Sequence, residues 1–532
     1  MESRTLNVPQ YGRAELTLHT TSAFGNPYTD VDLKVEFTLP DGSIILADGF
    51  YDGGNCFRAR AYACRCGVWR WRSLSSHPDM DGQAGEFAVH PSLLPGKLRI
   101  HPRDPYQFAY DNGEWFLHIG DTGYRYLASA EAGWQEYLDQ AAACGFTKIR
   151  TWFSLGRSDV KNLLEHNRKR LNLAYWQEMD RRLAYAWSRY PRVMLQLIPF
   201  GEDLEEVLNY GEGEEGARLI LKNAIARFSA YSNVQWCFSN DLQLESSFSG
   251  KSERAGQERE MEMADRLKTS INRVGGDSAV MEPWGTLRTN HQSRFSGYSF
   301  LDAPWSDLIT LEDLGQVDGA ALLHYRSLSA QPAVLDEDRY ESWRAPCHPR
   351  YFFRRLMWAS LLSGGHATYG GLRTWDAYDG DLCGMQGYFK ACGDGKLSEG
   401  AHDFVHIHRF FRETGLSLAG MIPDDGAAGA DPLRWKACRD QAGCTWIIYL
   451  ANPDQYEGHA PDGFDGLYTD ELAAPSCEPA SVALPAYVLA NAVSAWYNPS
   501  TGQWIEADGS KPVMISPGGG DWVLLVRGGQ AV

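Results

Sequence analysis

Hydrophobic positions along this chain change their spacing twice. Up to about residue 97 they alternate with polar ones: Glu15-Leu16-Thr17-Leu18, then VDLKVEFTL (31–39), then SIILADGFY after an Asp41-Gly42 turn, then GEFAV (85–89). Alternation over short segments, with Gly-rich turns at roughly ten-residue spacing, predicts the half-buried strands of a β-sandwich. Leu93-Leu94-Pro95-Gly96 then marks a linker.

Beyond the linker, short apolar runs take turns with longer amphipathic stretches. The runs are NGEWFLHIGDT (112–122), GFTKIRTWF (145–153), RVMLQLIPFG (192–201), NVQWCFSND (233–241), DSAVMEPWG (277–285), SDLITL (306–311), PAVLDED (332–338) and HATYG (366–370). Stretches such as AYWQEMDRRLAYAWSRY and PRYFFRRLMWASLLSGG carry the helical period between them. Strands alternating with long helices mean βα units on a parallel sheet, and eight such units predict a (β/α)8 TIM barrel with enlarged loops. No G-x-G-x-x-G follows the first strand, which argues against a dinucleotide-binding sheet. After about residue 417, TWIIYLANP, SVALPAYVLANAVSAWYNP and DWVLLVR return to strand patterning. The expectation is an α/β multidomain chain: an N-terminal β-sandwich over 1–97, a (β/α)8 catalytic barrel over 98–416 and a small C-terminal β-sandwich over 417–532.

Composition narrows the partners. A chain of 532 residues exceeds a single core. Its net charge of −18, with no basic run, would repel nucleic acid on average. No apolar stretch is long enough to predict a membrane-spanning helix. The N-terminus lacks a basic segment followed by an apolar one, and the 11 cysteines are odd in number and mostly dispersed, so a cytoplasmic protein is expected. Cys64-Arg65-Cys66 has the wrong spacing for a redox pair or a zinc half-site. An aromatic share of 12%, including 18 Trp and 26 Tyr, fits sugar stacking as well as it fits large cores. Oligomeric state is left open, a homo-oligomer included.

Chemistry belongs at the C-terminal ends of barrel strands, which share one mouth. The fourth run ends in Asn240-Asp241, and the seventh ends in the carboxylate cluster Asp336, Glu337 and Asp338, with Glu341 beyond. Cleaving a glycosidic bond takes one carboxyl to protonate the leaving oxygen and a second to stabilise or trap the sugar cation. Fourth and seventh strands face each other across a barrel mouth, so Asp241 and Glu337 are the expected catalytic pair; the neighbouring carboxylates remain alternatives to Glu337. Arg150, near the end of the second strand, is the expected cation for Glu337, and the Asn240 amide the expected partner of a sugar hydroxyl. Asp121 is read either as a hydroxyl ligand or as a helix cap. Trp152 and Trp284 are read as pocket floor or as core. Tyr340 is expected to hydrogen-bond the nucleophile, and His366, beside Gly364-Gly365, to contact a hydroxyl or serve structurally. No set of His, Asp or Glu has metal-ligand spacing, and neither G-x-S-x-G nor a P-loop occurs, so neither metal nor cofactor is expected.

NPYTDVDLKVEF, GFYDGGNCFRAR and GVWRWR, then GEWFLHIGDTGY, GFTKIRTWF, NVQWCFSND, PAVLDEDRYE, SGGHATYGG and AWYNPSTGQW, together resemble the apiosidase-like glycoside hydrolases over essentially the whole chain. The resemblance implies a β-sandwich, a (β/α)8 catalytic domain and a small β domain. It also implies a retaining mechanism, with an Asp acid/base after the fourth strand and a Glu nucleophile after the seventh. The family pattern Glu-x-x-Tyr-Glu falls on Glu337, Tyr340 and Glu341, which selects Glu337. The chain departs from the pattern at Asp336, where a Gly often stands, and at the Ser-Asn-Asp turn of the fourth strand. The expected activity is exo-acting release of a terminal sugar, of pentofuranose or deoxy-sugar type, from an oligosaccharide or plant glycoside. The competing readings are a non-catalytic carbohydrate-binding protein and a polysaccharide lyase. A lyase acting on uronates would want a basic pocket, which sits awkwardly with the net charge.

Overall fold

The computed structural model describes residues 6–128, 133–154, 163–244, 254–291, 297–312, 319–337, 350–370, 400–427, 435–454, 475–485, 488, 492–509 and 511–528. Strand alternation at the N-terminus builds two facing sheets. One runs Leu6–Pro9, Ala84–His90, Gly67–Ser75, Leu33–Thr38, Ile44–Asp48 across its width, and the other Arg13–His19, Cys56–Tyr62, Phe50–Gly53. Leu33, Val35 and Phe37 from the first meet Leu18, Phe57 and Ala59 from the second, and Trp69 stacks on Phe87 in the same core.

The apolar runs that follow form eight parallel strands: Ile119–Asp121, Lys148–Trp152, Met194–Ile198, Val234–Cys237, Arg288–Thr289, Ile309–Glu312, Ala333–Glu337 and His366–Tyr369. They lie side by side in the order five, four, three, two, one, eight, seven, six. The two edges meet where Asp307 donates its amide to the Arg288 carbonyl and where the Thr289 and Thr310 hydroxyls lie 3.1 Å apart, so the sheet curls into a (β/α)8 barrel. Both faces of these strands are covered, which is why they read as continuous apolar runs rather than alternations. The surrounding helices present their apolar stripe inward; in Leu173–Arg189 the buried Trp176, Met179, Leu183 and Ala186 fall at helical spacing.

One expected element is displaced. Residues 277–285 do not form the fifth strand: the helix Arg254–Met281 continues through the start of that run, and the strand follows at Arg288–Thr289. Leu267, Ile271, Val274 and Ser278 are buried at three- and four-residue intervals while Val280 is exposed, so the 3.6 period persists past Asp277 and overrides the local β-branched content.

The hairpin of Leu98–His101 and Asp104–Tyr110 closes the N-terminal end of the barrel. Its Leu98, Phe108 and Tyr110 pack with Met194, Leu287, Leu308 and Val334, forming an apolar floor. Lys97, just before this hairpin, donates to the carbonyls of Ser229 and Tyr231 at 2.7 and 2.9 Å and to the Thr286 hydroxyl at 2.8 Å. Burial pushes the Lys97 ammonium down to about 7, and these acceptors at the carbonyl end of the helix Glu215–Phe228 favour its protonated form. Beyond the barrel, a six-stranded sheet packs Trp446, Ile448, Trp496 and Leu524 against Val482 and Met514 of a two-stranded pair. Arg354, on the helix Arg350–Leu362, ties this unit to the barrel by pairing with Asp403 and Asp521 at 2.7 and 2.6 Å.

The sandwich is joined to the barrel through buried charge. Asp180, on a barrel helix, takes a forked pair of hydrogen bonds from Arg60 of the sandwich at 2.9 and 2.6 Å, and accepts from Tyr231 at 2.7 Å and Arg227 at 3.3 Å. Removing one partner from such a network leaves uncompensated charge behind. Asp180→Ala is therefore expected to destabilise the protein by about 3–5 kcal/mol, read as a lowered denaturation midpoint, whereas the exposed pair partner Glu212→Ala should stay within about 0.5 kcal/mol.

Candidate active site

Strand parity decides which side chains enter the barrel. Arg150, Gln196 and Gln235 share one register row across the second, third and fourth strands and point inward, as does Lys148 two residues before Arg150. Alternation alone would send Asp336 and Glu337 to opposite faces. Instead the seventh strand carries a β-bulge: Leu335 pairs with Leu311 but Glu337 pairs with Glu312, leaving Asp336 as the extra residue. Both consecutive carboxylates consequently face the interior, and Arg150 reaches both.

Arg150 is fully buried and organises the mouth. Its Nε donates to Gln196 Oε1 at 3.0 Å; its Nη1 donates to the Tyr124 hydroxyl at 2.8 Å, the Asp336 carbonyl at 2.6 Å and Glu337 Oε2 at 3.1 Å; its Nη2 donates to Asn240 Oδ1. The Tyr124 hydroxyl also donates to Glu337 Oε2, so that oxygen is held by a phenol and a guanidinium together. Burial pushes the Tyr124 hydroxyl well above its ordinary range, which keeps it a donor. Asp336 lies one layer deeper. Burial alone would raise its carboxyl, but Lys148 at 2.6 Å and Arg150 at 3.7 Å hold it far below the usual carboxylate range, and Gln196 and Thr368 donate to it at 2.9 Å each. Burial lowers the Lys148 ammonium against the pull of Asp336.

Asp241 reaches the mouth through a strained turn. Its φ is +49°, in the left-handed region that a non-glycine residue enters at a cost of about 1–2 kcal/mol. The turn is pinned on both sides: the Asn240 amide donates to the Gly201 carbonyl at 2.8 Å, and the Ser239 amide and hydroxyl both donate to Asn290 Oδ1 at 2.9 Å. His291 Nδ1 stands 3.0 Å from Asp241 Oδ1. One carboxylate oxygen of Asp241, one of Glu337 and a ring nitrogen of His291 all lie within 4.8 Å of one another.

That trio contains metal-ligand chemistry but fits a metal poorly. The Arg150 guanidinium, 3.1 Å from Glu337, would face an added dication there. Two carboxylates flanking a space of a few ångströms, with donors fixed beside them, suit an uncharged sugar.

Of the residues expected at the site, Asp241, Glu337, Arg150, Asn240 and Trp152 are brought together. Trp152 ends the second strand and packs its ring on Tyr124 at 4.6 Å. Asn240 Nδ2 and Trp152 Nε1 are buried without a hydrogen-bond partner among the described residues. Tyr340 and Asp338 lie outside the described residues, as does Glu341. Three expectations are corrected. Asp121 shares the register row of Ile149 and turns outward, where the Tyr137 hydroxyl donates to it, so it faces the helix layer and not the mouth. Trp284 precedes the true fifth strand and inserts into the sandwich core, 6.0 Å from Phe37. His366 begins the eighth strand, at the floor end, where its ring meets Phe108 at 5.0 Å and Nε2 lies 3.2 Å from the Tyr106 carbonyl. Tyr124 and His291 were not anticipated. Displacing the fifth strand by about a turn of helix put its end at Trp284 and hid His291, two residues past Thr289; Tyr124 follows the first strand in GDTGY, where nothing but its position after a barrel strand marks it.

Comparison with known proteins bears on family and fold. Residues 103–444 match the apiosidase-like catalytic domain, and residues 7–76 match a domain of unknown function, DUF5060. No curated protein matches the chain. The fold is shared with a proposed glycoside hydrolase from Bacteroides vulgatus ATCC 8482, at 15% identity over 98% of this chain and 100% of that one, with a TM-score of 0.68. A glycoside hydrolase family 5 protein from the same organism aligns at 13% identity over 82% of this chain and 94% of that one, with a TM-score of 0.58. At such identities the likeness concerns fold alone. The catalytic-domain match on a (β/α)8 barrel makes this protein a glycosidase. It belongs to the apiosidase-like family.

His366 carries a pH consequence. Burial pushes its imidazole down from 6.5 to about 4, so the folded state resists a proton that the unfolded chain accepts. Its contribution is complete above pH 6.5 and is lost as pH falls toward 4. Between pH 6.5 and 4.5 this should amount to on the order of 2 kcal/mol. His366→Gln is expected to flatten the acid side of a melting-temperature profile, as read by circular dichroism at stepped pH.

Proposed function

We propose that the protein is an exo-acting, retaining glycoside hydrolase that removes a terminal sugar through a glycosyl-enzyme on Glu337, with Asp241 as acid/base. The single observation that carries this reading is the approach of Asp241 and Glu337 to within 4.8 Å at their nearest oxygens, across the mouth formed by the fourth and seventh strands. Carboxyl groups about 5–5.5 Å apart leave no room for a water behind the sugar, which favours double displacement over inversion. Glu337 attacks the anomeric carbon while Asp241 protonates the departing oxygen. Asp241 then draws a proton from the water that releases the sugar. Arg150 and Tyr124 orient the Glu337 carboxylate through Oε2, and Asn240, held by Arg150 through its Oδ1, has its Nδ2 left as the donor for a sugar hydroxyl in this reading. The family name makes apiosides the first substrates to test, with arabinofuranosides and rhamnosides beside them.

With a panel of 4-nitrophenyl glycosides, Glu337→Gln should lose about 10³-fold or more in kcat, and Asp241→Asn about 10²–10⁴-fold. The Asp241→Asn loss should shrink as the leaving group becomes more acidic. Azide should rescue Glu337→Gly, giving the glycosyl azide of opposite anomeric configuration by NMR. Unaltered turnover in both single variants, or inverted product from the wild type, would remove the mechanism.

A further inference from the structure

Asp336 poses a problem that the reaction itself does not. It is fully buried beneath the mouth and adjacent in sequence to the proposed nucleophile, and the bulge turns both carboxylates toward one guanidinium. A second negative charge so close competes with Glu337 for the Arg150 guanidinium. Lys148 lies two residues before Arg150 on the same inward face of the second strand, with its Nζ 2.6 Å from Asp336 Oδ1. We propose that Lys148 is a positioning residue for the glycosidase reaction: it neutralises Asp336 and so leaves the charge of Arg150 to Glu337.

The inference rests on Glu337 being the nucleophile. It draws on the charges that face this layer from every side. His118, just before the first strand, is held well below its ordinary range by burial and is neutral. Burial pushes the Cys237 thiol of the fourth strand up to about 12 and raises the Tyr124 hydroxyl, so both stay protonated. Asp241 and His291 lie across the mouth, on Glu337 and not on Asp336. Glu312 of the sixth strand, register-paired with Glu337, is buried as well. Lys148 at 2.6 Å is the cation nearest Asp336, while Arg150 is shared between Asp336 at 3.7 Å and Glu337 at 3.1 Å.

The pH dependence of kcat/KM, measured with whichever 4-nitrophenyl glycoside is turned over, separates this role from a merely structural one. Lys148→Met should move the acid limb up by about one pH unit. Asp336→Asn, which leaves Lys148 in place, should move it down. The double variant should return it near the wild-type position. Melting curves accompany each variant, and if Lys148→Met fails to fold, the downward shift of Asp336→Asn and the restoration in the double variant still decide. Acid limbs that stay put in the folded variants, or move in the same direction for both single substitutions, would overturn the inference. Full activity of Glu337→Gln would instead remove the nucleophile assignment, which is a separate failure.

Discussion

A buried guanidinium is the constraint from which the mouth of this barrel follows. Arg150 has no exposed surface, and a cation withdrawn from water is tolerable only if its donors are answered by well-placed acceptors. The answering groups come from the third, fourth and seventh strands and from the segment after the first. Satisfying one side chain therefore fixes the relative heights of several elements far apart in sequence. The two acidic groups across the mouth inherit their separation from that agreement, and the left-handed turn at Asp241 is held in place by it through Asn240.

Much of this was legible in the chain because βα units announce themselves. The strands at Lys148–Trp152, Met194–Ile198 and Ala333–Glu337 are buried on both faces, so their apolar runs survive any ambiguity about which face is inside. Strand ends on the fourth and seventh units consequently pointed to Asp241 and Glu337 without coordinates. What failed was parity and period. Asp121 sits at the correct end of its strand but one residue out of phase with the interior. Trp284 was selected because a helix that outlasts its apparent end displaced the fifth strand. His366 lies at a strand start, and starts open on the floor of a barrel rather than its mouth. The bulge at Asp336 has no signature in one sequence, since an inserted residue in a strand looks like any other residue.

The sandwich contributes more than a lid beside the barrel. Trp284 packs into its core, Arg60 crosses to Asp180, and Lys97 holds the carbonyls at the end of a barrel helix. Charge removed from water at this junction is paired across it, so each unit would carry unanswered polar groups if it stood alone. The hairpin that seals the barrel floor begins directly after Lys97, which makes the linker region part of the wall.

This last feature bears on how such proteins can be recombined. A boundary drawn at the start of the matched catalytic segment would sever the floor hairpin within its turn and strip Trp284 of the aromatic neighbours that cover it. The barrel accordingly travels with its leading sandwich, and with the C-terminal sheet whose Ile447, Tyr449 and Tyr497 share the barrel core; exchange of sandwiches among relatives would have to carry the matching tryptophan and arginine contacts along.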